Sequence, residues 1–134
     1  MHSRHEAIAA AVGRCLGTPF RPQGRVAGVG LDCIGVALIA AAAAGAAVAP
    51  PPYALGGDHE ERLEAFVAAM GCVRIGADPA TGDLLIFAPA RRRRHVGIVV
   101  ARGVVHAHAG LGRVVLSPPW PWPIVATWRF PDRS

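Results

Sequence analysis

Charge is scarce in this chain and cysteine scarcer still, and neither falls in a pattern that would staple a small module together. Three cysteines, Cys15, Cys33 and Cys72, make an odd set with no CxxC pair. That excludes a complete disulfide framework and argues against a structural zinc site, so at least one thiol is expected free. Long strongly apolar runs are also missing. The run from Ile34 to Ala49 is mostly alanine and falls short of the roughly 20 strongly apolar residues of a membrane span, so it reads as a buried helix. The N-terminus, Met1 to Glu6, is charged and leads into an Ala-rich helical pattern without the apolar core of a secretory signal. The expectation is a protein made in the cytoplasm whose export, if it occurs, uses another route. No internal repeat or linker divides the 134 residues, which are read as one domain over 1–134.

Only 17% of residues are charged, yet the formal net charge is +5 and the pI is about 10.4. An anionic partner follows, such as nucleic acid, a wall polymer or a membrane surface. Four of the cations stand together at Arg91 to Arg94, a solvated run or a local field rather than a basic stripe. Interleaved aromatics and a groove-reading helix are lacking, which argues against nucleic acid.

With 52% hydrophobic residues, what is present is a real core, ordered as helices first and strands after. Ile8, Val12 and Cys15 recur at helical spacing over Arg4 to Leu16, and Gly17-Thr18-Pro19 stops the pattern. Gly17 to Gly30 reads as a loop. A second helix starts at Asp32, a good N-cap, and runs toward Gly45, with Pro50-Pro51-Pro52 beyond it. A third, from about Asp58 to Met70, sets Leu63, Phe66, Val67 and Met70 on one face and is capped by Gly71. Short apolar runs then follow at Asp83 to Phe87, Val96 to Ala101, Val104 to Ala107, Arg113 to Leu116 and Ile124 to Phe130. The expected fold is α+β, with one helix packed on a five-strand antiparallel sheet.

Within Gly30-Leu31-Asp32-Cys33-Ile34-Gly35, the cysteine stands in the first turn of a buried helix. Unpaired backbone N–H groups and the helix dipole there favour a thiolate and can face an oxyanion. Cys15 and Cys72 lack this setting and read as core residues. His95 begins an apolar strand, and His106 lies in the next one, joined by a tight turn at Ala101-Arg102-Gly103, so strand pairing can bring the two imidazoles together. His106 is favoured to orient His95, with His108, of the same strand parity, as the alternative. A zinc reading of the three histidines finds no carboxylate or cysteine at ligand spacing.

Taken in order, Gly17-Thr18-Pro19-Phe20, Asp32-Cys33-Ile34-Gly35, Gly82-Asp83-Leu84, His95-Val96-Gly97-Ile98 and Val105-His106-Ala107 resemble the NlpC-type cell-wall cysteine peptidases. The resemblance spans about Gly17 to Ala109. It implies a papain-like domain whose helices carry the nucleophile onto the sheet that carries the base. It also implies hydrolysis of peptidoglycan stem peptides, expected between D-glutamate and diaminopimelate, with Cys33 as nucleophile, His95 as base and His106 as its orienting partner. No metal or organic cofactor is implied. The candidate substrate-binding residues are Gln23, Asp32 and Phe20, and Gln23 is a candidate donor to the oxyanion. The sequence departs from the family with Ile34 where serine commonly follows the cysteine, and with Phe20 where tyrosine is common. The short form resembles tail-associated peptidases of phages and gene transfer agents, so phage-like tail proteins are expected partners, and Trp120-Pro121-Trp122, if exposed, is a docking patch for one. Two rivals stand beside this reading: a catalytically silent tail adaptor on the same fold, and an acyltransferase or thioesterase.

Overall fold

The computed structural model describes residues 3–46, 60–118 and 120–131. The Ser3 hydroxyl accepts the Glu6 N–H at 3.1 Å and starts α1 (Arg4–Gly13), a capping contact that satisfies one otherwise orphaned amide. The helix ends at Gly13 rather than Leu16. The amides of Cys15 and Leu16 reach back only three residues, to Val12 and Gly13, in a tight turn that Gly17 closes at φ 85°. The expected loop from Gly17 to Gly30 holds a short ribbon, β1 (Arg25–Val26) paired antiparallel with β2 (Gly30–Leu31). Buried Thr18 fastens it by accepting the Gly28 N–H at 2.9 Å.

Asp32 caps α2 (Cys33–Ala43) through the Gly35 N–H at 2.8 Å. Its Ile34, Gly35, Val36, Ala37, Ala40 and Ala41 are buried, as befits a helix that is apolar nearly all round. A Cβ on Gly35 would collide with the Gly24 carbonyl oxygen, so glycine is what lets the ribbon sit on the first turn. Helix α3 (Glu60–Ala69) buries Leu63, Phe66 and Val67 as expected, and Met70 follows buried beyond its end. Pro50 to Pro52 and the expected start of α3 at Asp58 lie outside the described residues.

The main sheet has six strands among the described residues, not five. They are β3 (Val73–Ile75), β4 (Leu84–Ala90), β5 (Arg93–Val100), β6 (Gly103–His108), β7 (Arg113–Ser117) and β8 (Ile124–Arg129), in the order β3-β8-β4-β5-β6-β7 with each neighbouring pair antiparallel. The extra strand, Val73-Arg74-Ile75, pairs with Thr127 to Arg129 at one edge. It is three residues long and largely exposed, too short for any apolar period to register. The arginine run is also more structured than a loop: Arg91 and Arg92 form the β4–β5 turn, while Arg93 and Arg94 belong to β5.

Alternation along the strands divides the core. Leu84, Ile86, Val96, Ile98, Val105 and Ala107 face the layer of α1, α2 and α3, while Leu85, Phe87, Val99 and Val104 form a second cluster on the other face, closed by Trp122 and Ile124. Asp83, at the entrance to β4, is fully buried. It accepts two bonds from Arg129, each 2.8 Å, and one from the Ala80 N–H at 2.8 Å, tying the start of β4 to the end of β8.

Candidate active site

The β5–β6 ladder runs only from Val100–Gly103 to Ile98–Val105. Continued, that register would set Gly97 opposite His106 and His95 opposite His108. The strands instead part beyond Ile98, and α2, which lies over β5 and β6, brings Cys33 toward the opening. His95 and His106 are thus diagonal neighbours. Their rings meet edge to face at 5.1 Å between centroids, with His95 Nε2 3.0 Å from His106 Nδ1. Gly97 stands between them without a side chain. A Cβ there would lie 2.5 Å from Val104 Cγ2 and 3.4 Å from the Cβ of His106, so a larger residue would push the second histidine away.

One cleft of about 560 Å³ gathers the residues singled out in the sequence. Cys33, His95, Phe20, Gln23, Asp32 and His108 all stand on its wall, and His106 is buried directly behind His95. The geometry separates the two candidate partners: His106 holds His95, whereas His108 Nδ1 accepts the Leu111 N–H at 3.0 Å and its ring faces the cleft. Because His95 and His106 turn their nitrogens on each other, the three imidazoles do not converge on a common point. Among the described residues no group of three or more His, Cys, Asp or Glu is arranged to hold a metal ion.

Asp32 does more than cap the helix. Oδ1 accepts from Gly35 N–H and from Arg25 Nη1 at 2.7 Å, and Oδ2 accepts from the Gln23 N–H at 2.7 Å. Its contribution to substrate binding would come on top of these three bonds. The last of them fixes Gln23 at φ 59°, the one positive φ of a non-glycine among the described residues. Such a conformation costs about 1 kcal/mol and persists where the surroundings impose it, here on the cleft wall.

Two residues were invisible as site components in the sequence. Ser117, at the end of β7, has its Oγ 2.8 Å from His106 Nε2. It pairs with Val104 while His106 pairs with Val115, so it is again a diagonal neighbour on the same face. The other is Trp122, whose ring lies 5.2 Å from that of His95, 5.4 Å from His106 and 5.8 Å from His108. The Ala88 N–H anchors its loop by donating to the Pro123 carbonyl at 3.0 Å, so the indole covers the histidine pair. Of the tryptophans expected to form a core or edge cover, Trp128 is buried, Trp122 closes the site and only Trp120 is exposed; Pro119 lies outside the described residues.

The electrostatics differ from the expectation of a resting thiolate. Burial pushes the Cys33 thiol up to about 11, the Asp32 carboxylate adds to the rise, and the backbone amides of Val96 and Ile34 with the Arg25 guanidinium pull it only partly back. His95 is driven down to about 3 by burial first, then by His106, His108 and Arg93. Burial and His108 lower His106 to about 4. At neutral pH the pair rests as neutral thiol and neutral imidazole, so desolvation outweighs the helix terminus. Because the thiolate appears only as pH climbs toward 11, alkylation of Cys33 by iodoacetamide is expected to accelerate steadily from pH 7 to 9. A rate already at its plateau by pH 6 would mean a preformed ion pair instead.

The cation that favours the Cys33 thiolate is Arg25, not a member of the Arg91–Arg94 run, and Arg93 acts on His95 by disfavouring its protonated form. Arg93 and Arg94 nevertheless line the cleft. Replacing both with Gln is expected to raise KM for anionic substrates severalfold, and to flatten the dependence on salt between low and physiological ionic strength, where the Debye length is about 8 Å. Identical salt curves for the two proteins would leave these arginines without a part in attraction.

No protein-family model matches the chain, and a comparison with curated proteins finds no similar sequence. Solved structures do match it. NlpC1 from Trichomonas vaginalis superposes over 97% of this chain with a TM-score of 0.73 at 19% sequence identity, and NlpC2 from the same organism over 97% with 0.72 at 17%. The chain spans about half the length of these proteins, 45% and 48% respectively. Among the described residues no helix is long and apolar enough to cross a membrane. The α+β fold, with its antiparallel sheet under the Cys33 helix, is NlpC-like.

Proposed function

We propose that the protein is a cysteine peptidase or amidase acting on amide bonds of peptidoglycan stem peptides. The observation that carries this reading is a cysteine at a helix start and a histidine on one cleft wall, the histidine held by its Nε2. The remaining ring nitrogen, Nδ1, takes the proton of Cys33 as Sγ attacks the carbonyl carbon. The oxyanion is met by backbone amides at the start of α2 and by Gln23. The imidazolium then protonates the leaving amine, giving a thioester. His95 next draws a proton from water, whose oxygen attacks the thioester carbonyl, and the carboxylate departs as the thiol is restored. The raised thiol and lowered imidazole keep the resting pair neutral, so in this course thiolate and imidazolium form together only during attack.

Phe20 and Gln23 give the substrate side of the cleft an apolar ring and an amide, and Asp32 holds that wall in place. The bond between D-glutamate and diaminopimelate is the proposed point of cleavage. A tail-associated setting rests on the resemblance of the short form with its Gly17-to-Leu31 loop, with exposed Trp120 as the side chain a tail partner would meet, and a free-standing bacterial wall hydrolase is the alternative. Mass spectrometry of muropeptides after digestion tests the reading. Fragments with a new diaminopimelate amino terminus are expected; turnover of acyl esters without such fragments would favour acyl transfer, and an inert protein with inert Cys33 would favour the adaptor.

A further inference from the structure

The chain His95, His106, Ser117 crosses three strands in two diagonal steps of 11 residues each, with contacts of 3.0 and 2.8 Å. We propose that Ser117 is a positioning residue which selects the tautomer of His95, acting through His106; the proposal rests on the amide-hydrolase reading for its catalytic meaning but not for its geometry.

The argument is one of proton counting. A neutral imidazole has one N–H and one bare nitrogen, so the two contacts must run in the same direction. In one direction His95 Nε2–H donates to His106 Nδ1, and His106 Nε2–H donates to Ser117 Oγ. His95 Nδ1 is then bare and can accept the Cys33 proton. In the other, the Ser117 hydroxyl donates to His106 Nε2 and His106 Nδ1–H donates to His95 Nε2. His95 then carries its proton on Nδ1 and cannot act as a base there. Once His95 becomes an imidazolium in the reaction, its Nε2–H must donate, so only the first direction fits catalysis.

Ser117 makes that direction affordable because it accepts the Nε2–H of a histidine that is 0% exposed. Without the hydroxyl, the productive arrangement would leave a buried N–H with no acceptor, whereas the unproductive one would leave only a bare nitrogen, and stranding a buried donor is the costlier fault. The other groups near the pair are Arg93 from β5, His108 from β6, Trp122 from the loop before β8, and Cys33 from α2 on the same cleft lining. Among the described residues, the partner of His106 Nε2 is the serine, at 2.8 Å.

The test is ring ¹⁵N NMR of His95 and His106 in the resting protein, joined to the rate of Cys33 alkylation by iodoacetamide at pH 8. In the wild type both histidines are expected to be protonated on Nε2. Ser117→Ala is expected to move His106 toward Nδ1–H and His95 with it. Alkylation should slow about 10-fold, and kcat on muropeptides should fall about 10- to 100-fold at nearly constant KM, the range for groups that orient a functional histidine from behind. Ser117→Thr, which keeps the hydroxyl, should restore tautomers and rates to within about 3-fold. Unchanged ring shifts and alkylation in a folded Ser117→Ala protein would overturn the proposal. So would a wild-type spectrum with His106 protonated on Nδ1, a result available even if the alanine variant fails to fold. A wild type that shows the expected tautomers yet releases no muropeptide would overturn the hydrolase reading and leave the relay standing.

Discussion

Replacing Cys33 with alanine is expected to lower muropeptide cleavage by at least about 10³-fold while moving the melting temperature by no more than a few degrees. The size of the effect follows from what is removed. In the proposed reaction Sγ is the atom that bonds to the carbonyl carbon, and without it the cleft would offer only binding and oxyanion contacts, which leave a small fraction of the rate of an intact nucleophile and base. The small cost to the fold follows from the surroundings. Cys33 is half-buried on a cleft wall, and α2 is capped by Asp32 whether or not the next residue carries sulfur. His95→Ala should fall comparably, and the double variant should be little worse than either single one, because nucleophile and base act as a unit. Cleavage by Cys33→Ala at the wild-type rate would end the peptidase reading. A loss in both variants accompanied by unfolding would be uninformative, so circular dichroism and thermal melts belong with the assay.

The largest effect on stability is expected at Asp83, which takes no part in the cleft. Asp83→Ala should destabilise the protein by about 3–5 kcal/mol, measured by urea denaturation, with a fall in melting temperature of roughly 10 °C or more. The carboxylate is fully buried and satisfies three donors, two from Arg129 and one from the Ala80 amide. Alanine leaves all three without an acceptor and puts a small cavity where strands β4 and β8 begin and end together. Asp83→Asn keeps the shape and one acceptor oxygen, so it should cost less than alanine, about half as much. The guanidinium of Arg129 is partly exposed and can turn to water, which is why the upper end of the range is not exceeded. A change below about 1 kcal/mol would mean that the ion pair is dispensable for holding the sheet.

How much of this was legible in the sequence depended on whether a local signal existed. The start of α2 and the buried face of α3 were legible because Asp32 and the apolar spacing of Leu63, Phe66 and Val67 are one-dimensional patterns. The five longer strands were legible for the same reason. Strand β3 and the β1–β2 ribbon were not: each strand is two or three residues long and owes its geometry to partners outside itself, Thr127 to Arg129 far along the chain in one case and the Thr18 hydroxyl in the other. That Cys33 and His95 share a cleft, with His106 against His95, could be expected from the motif order. The choice between His106 and His108 could not be closed, because both share a face and only the parting of β5 from β6 decides which ring meets His95. Ser117 and Trp122 left no local trace at all. A serine ending a Val-Val-Leu strand and a tryptophan between prolines look like edge and cover, and they join the site only through register and through the Ala88 to Pro123 anchor. The raised Cys33 thiol is not legible in the sequence for a related reason. A helix N-terminus is visible in sequence, whereas the desolvation that outweighs it is a property of the packed cleft.

Asp32 has a consequence for anyone wishing to alter what the cleft accepts. One carboxylate fixes the first turn that carries Cys33, the Arg25 side chain that tempers the thiol, and the strained backbone of Gln23. Reactivity and selectivity therefore hang from the same two oxygens and cannot be evolved independently at this corner. Changes at Arg25 will also reach Cys33, whereas Pro89 and Gly110, elsewhere on the cleft lining, offer positions from which substrate preference can be altered without breaking these bonds.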